Sequence, residues 1–90
     1  MNQSPKYKLG SLIAVDKGRK FPVVLRDGPG YTFSRVETIE PGEIGIVLGS
    51  SIGHGMIVWI LVHITINKKV GWIPEGVIDY LENENSNMIT

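Results

Sequence analysis

The side chains able to do acid–base or metal chemistry in this chain are few. There are only two histidines, His54 and His63, and no cysteine. Thiolate nucleophiles, disulfides and thiolate zinc sites are therefore excluded. His54 stands between Gly53 and Gly55, a setting that fits a loop residue better than a metal ligand. His63 lies inside an apolar run, where it serves either as a hydrogen-bonding contact at an interface or as a satisfied structural side chain. Ser50-Ser51 lacks the strand-to-helix context of a nucleophile elbow, and no carboxylate stands at motif spacing from a histidine. The glycines form neither a phosphate loop nor a dinucleotide fingerprint. The expectation is a non-enzymatic protein without cofactor or metal.

Binding chemistry is better represented. Trp59 and Trp72 are large apolar surfaces with a polar edge, suited to a recognition platform or to the rim of a core. Tyr31 and Phe33 follow Gly28-Pro29-Gly30, whose backbone preferences force an irregular loop. Loops on rigid scaffolds often carry binding, although these two rings could equally fold back over the end of the domain. Asp27 and Glu37 are available for a basic ligand group, and Pro74 for a groove wall. The candidate partner-binding set is Tyr31, Phe33, Ile57, Trp59, Leu61, His63, Trp72 and Pro74.

The elements that must position these residues follow a period of two. KLGSLIAV (8–15) and FPVVLR (21–26) are β-rich runs divided by a turn-like Asp-Lys-Gly-Arg, and a short extended piece over 36–39 ends at Glu40-Pro41-Gly42-Glu43. EIGIVLG (43–49) is the next strand, and SSIGHG (50–55) reads as a flexible loop. MIVWILVHITI (56–66) leads through a tight Asn67-Lys68 turn into KVGWI (69–73), and VIDYLE (77–82) reads as a helical turn opening a last strand. No window sustains a helical period, so the fold class is all-β. The expected architecture is a small antiparallel barrel of five to six strands over 8–82, with an arm at 1–7 and a polar tail at 83–90.

MIVWILVHITI has two faces as a strand. Val58, Ile60, Val62, Ile64 and Ile66 form an aliphatic face that should line the core. Ile57, Trp59, Leu61, His63 and Thr65 would then lie outside, still mostly apolar and in need of cover. Residues 8–15 or another protein are the two candidate covers. The run spans eleven residues, whereas a membrane helix needs about 20.

Ninety residues suffice for one domain that buries only roughly 60–65% of its unfolded surface. Partners are a common source of support at that size. The net charge is zero but unevenly spread. Residues 1–20 hold Lys6, Lys8, Lys17, Arg19 and Lys20 against Asp16, while 75–90 hold Glu75, Asp79, Glu82 and Glu84 with no cation. These ends either stay solvated or pair, within one chain or between subunits. Nucleic acid is a poor fit to that balance. The first residues do not read as a secretory signal, so the expected location is the cytoplasm, or a particle assembled there.

Several stretches resemble SH3-type barrels when taken in order. Leu25-Arg26-Asp27-Gly28-Pro29-Gly30 is similar to the L-R-x-G-P stretch of bacterial SH3 domains. Thr38 to Ile44 followed by Val47-Leu48-Gly49 is similar to the family's turn and V-L-G strand. Trp59 stands where the family opens a strand with tryptophan, and Gly71-Trp72-Ile73-Pro74 with Tyr80-Leu81 resembles its closing element. The similarity covers about residues 21–82. Leu12-Ile13-Ala14-Val15-Asp16 lacks the tyrosine pair of proline-rich-peptide binders, and extra residues separate Pro74 from Tyr80. What the resemblance implies is a structural or adaptor role in a larger assembly, such as a tailed-bacteriophage virion, with other protein subunits as partners. The alternative it implies is a module for proline-rich peptide or peptidoglycan.

Overall fold

Alternating β-branched residues build the centre of the molecule. In the computed structural model, which describes residues 8–80 (Tyr80 by its backbone alone), Val58–Ile64 forms strand β5, with Ile60, Val62 and Ile64 fully buried. The expected arm at 1–7, the tail at 83–90 and the Leu81-Glu82 end of the last strand lie outside the described residues. The other strands are β1 (Leu12–Val15), β2 (Val23–Arg26), β3 (Arg35–Ile39), β4 (Ile44–Ile52), β6 (Val70–Pro74) and β7 (Ile78–Tyr80). Short 3-10 turns occur at His54–Met56 and Glu75–Val77.

The strands form one antiparallel sheet in the order β3-β2-β6-β5-β4-β1-β7. Every strand contributes to a single apolar cluster, with Ile13, Leu25, Ile39, Val47, Val62, Ile73 and Ile78 among its members. A sheet whose strands all turn one face to the same core must curl around it, and this gives the all-β, barrel-like architecture. Among the described residues seven strands stand where five to six were expected. Each fully buried aliphatic side chain contributes about 1.5–3 kcal/mol.

Several boundaries differ from the sequence expectation. Residues 8–15 do not form one strand: Ser11 N–H donates to Lys8 O at 3.0 Å in a turn, and β1 begins at Leu12. Ser50, Ser51 and Ile52, expected in a loop, extend β4 because they pair with Ile60, Trp59 and Val58. Ile66, expected in the core, is 76% exposed. β5 stops at Ile64; Thr65 is still held to Ile44 O by its N–H (3.0 Å) and hydroxyl (3.2 Å), and the chain then turns at Ile66, where Lys68 N–H donates to Ile64 O and Ile64 N–H to Lys69 O, both at 2.8 Å. The helical turn lies at Glu75–Val77, so Ile78–Tyr80 is already strand.

Candidate contact site around Trp59

Pairing fixes which β5 residues share the face turned away from the core. Trp59 stands opposite Ser51 and Pro74, Leu61 opposite Gly49 and Trp72, and His63 opposite Ile46 and Val70. Directly paired residues point to the same side of a sheet, so these form three rows across the outer face. Leu61, His63 and Trp72 are half-buried there.

Trp59, expected on an outer face in need of cover, is only 1% exposed and so is covered within the chain. Its cover is neither residues 8–15 nor another protein. β1 sits in the sheet between β4 and β7, with Ile13 and Val15 in the core. The cover is the loop of residues 27–34. Tyr31 meets the indole edge-to-face, with centroids 4.8 Å apart and planes at 73°, a favoured aromatic arrangement. Gly53 also approaches the indole. A Cβ there would lie 3.0 Å from the indole and 2.5 Å from Pro29 O, so only glycine lets the two loops close over the ring.

The 27–34 loop is held by its own polar groups. Asp27 N–H donates to Ser34 O at 3.0 Å, and Ser34 N–H donates to Asp27 Oδ1 at 3.1 Å. Arg26 Nη1 donates to Phe33 O at 2.9 Å, and the same guanidinium lies 5.6 Å from the Tyr31 ring centroid, within cation–π range. Phe33 packs on Gly28, where a Cβ would overlap its ring.

These loops leave an apolar pocket of about 300 Å³, lined by residues 29–33 with His54, Gly55, Ile57 and Trp59. Tyr31, Phe33 and Ile57 remain 60%, 45% and 37% exposed at its walls. Four of the eight candidate residues, Tyr31, Phe33, Ile57 and Trp59, therefore meet at one place. Leu61, His63 and Trp72 lie on the same sheet face but do not line this pocket. Pro74 lines a second pocket, of about 190 Å³, with Arg19, Pro22, Val23, Val24, Arg26, Tyr31 and Val77. Tyr31 is common to both.

Asp27 and Glu37 line neither pocket. Asp27 Oδ1 is engaged by Ser34, and Glu37 Oε1 accepts from Thr38 N–H at 3.2 Å. Arg19 and Arg26 are the residues that sequence reasoning missed at this site. They are separated by a turn and a strand, and only the Arg26 stretch carried a signal. Among the described residues no three of His, Cys, Asp or Glu gather as a metal site, and no helix is long and apolar enough to cross a membrane. Comparison with protein-family models, curated proteins and solved structures found no match.

Proposed function

We propose that the protein is a non-enzymatic, SH3-like contact module, working as a structural or adaptor subunit of a larger protein assembly. The apolar pocket between the 27–34 and 53–57 loops carries this reading, because it presents partly exposed aromatic and aliphatic walls on a hydrogen-bonded loop. Aromatic anchors in such settings dominate many protein interfaces. Covering them gains about 25 cal/mol per Å² of apolar surface. The β2–β3 hairpin and the Gly71-Trp72-Ile73-Pro74 strand, followed by a 3-10 turn and a short last strand, support the SH3 resemblance. A tailed-bacteriophage particle is the assembly proposed on that resemblance.

Selection from a displayed peptide library, followed by NMR titration of the winners, tests the contact role. Saturable shifts at residues 29–33 and 53–59, lost in a Phe33→Ser/Ile57→Ser double variant that still folds, are the expected result. Failure to enrich any binder, or shifts confined to other surfaces, would remove this site from the account. Muropeptide fragments titrated alongside distinguish a cell-wall ligand from a protein segment.

A further inference from the structure

We infer that the segment bound at this site is acidic, and that Arg19 and Arg26 form its carboxylate pocket on the far side of Tyr31. This rests on the contact reading above and narrows it to a ligand class. The second pocket combines two guanidinium groups with walls from Pro22, Val24, Pro74 and Val77. Arg26 is already oriented by its bond to Phe33 O and its position by the Tyr31 ring. A guanidinium has five N–H donors, so most of them remain for a ligand. Among the described residues neither Arg19 nor Arg26 is paired with a carboxylate.

The surroundings reinforce the sign. Lys17 and Lys20 flank Arg19 on the same exposed turn. The carboxylate of that turn, Asp16, has its Oδ1 engaged by Gly18 N–H at 2.9 Å. Asp27 is engaged by Ser34, and Glu75, next to Pro74, does not line the pocket. A carboxylate held by arginine forms a strong, directional, charge-assisted bond. The two pockets share Tyr31, so a segment placing an apolar side chain in one and a carboxylate in the other would use both. A nucleic-acid backbone fits less well, because the cationic pocket is small, walled by apolar groups and shares its Tyr31 wall with an apolar neighbour.

The test uses three short extended peptides with one proline- and leucine-containing core and Glu, Gln or Lys beside it. Each is titrated into the full chain and into Arg19→Glu, with amide shifts and affinity as readouts. The Glu peptide should bind about tenfold or more tightly than the Gln peptide, shift residues 19, 22–26 and 74–77, and weaken with salt. Arg19→Glu should reverse the order in favour of Lys. Equal affinity for Glu and Gln, with shifts kept at 29–33 and 53–59, would overturn the acidic assignment and leave the contact role standing. No shift at either pocket with any peptide would overturn both. Tighter binding of a single-stranded oligonucleotide at the two arginines would also overturn it. So would shifts of these amides on Glu82→Gln/Glu84→Gln substitution in the free protein, which would place the chain's own acidic segment there.

Discussion

The two faces of β5 are almost equally apolar in sequence, yet they are covered in different ways. On the inner face Ile60, Val62 and Ile64 are sealed by side chains from the whole sheet. On the outer face Trp59 is sealed by two loops, through the Tyr31 contact from one and the Gly53 approach from the other. Further along, Leu61 and His63 are only half-buried. The inner face is thus redundant and tied to global stability, whereas the outer cover is local and leaves a pocket at its margin. Apolar surplus beyond the needs of one core is what a contact module requires.

The largest expected effect breaks the inner face. Ile60→Ala should cost about 2–5 kcal/mol by chemical denaturation, a large part of the stability of a small domain. Next comes the loop approach: Gly53→Ala must push Pro29 O or the indole aside, at about 1–3 kcal/mol. A loss as large as that of Ile60→Ala would mean that the loop cover is part of the core rather than local. Tyr31→Ala should cost about 1 kcal/mol in the same assay, because it removes the edge-to-face contact while the core stays closed. The smallest effect is at Ile66, where Ile66→Ser should change stability by less than about 0.5 kcal/mol. A loss comparable to that of Ile60→Ala would return Ile66 to the core and undo the observed end of β5.

The alternation in 58–64 made the inner face legible, because period-two burial is a local property of a strand. Where the strand stops was not legible. Ile66 continues the pattern, and the turn shows only in the backbone bonds that link Ile64 to Lys68 and Lys69 across it. Ser50 to Ile52 read as a loop because serine and glycine have little β preference, but pairing with β5 overrides that preference. The outer cover left a partial trace in Gly28 and Gly53. Gly28 makes room for Phe33 within its own loop, whereas the meaning of Gly53 lies in a contact with Pro29 of a loop far away in the chain, which no local pattern reports. Arg19 and Arg26 converge for the same reason, through the path of β2 rather than through a motif.

The local cover of Trp59 is the claim on which the site depends, and acrylamide quenching of its fluorescence in a Trp72→Phe background tests it most directly. The chain has two tryptophans, so Trp59 is then the sole indole. Quenching should be slow with Tyr31 present and several-fold faster in Tyr31→Ala, with the core fold retained in both. Fast quenching in both proteins would contradict the account, since Trp59 would then stand open without its loop.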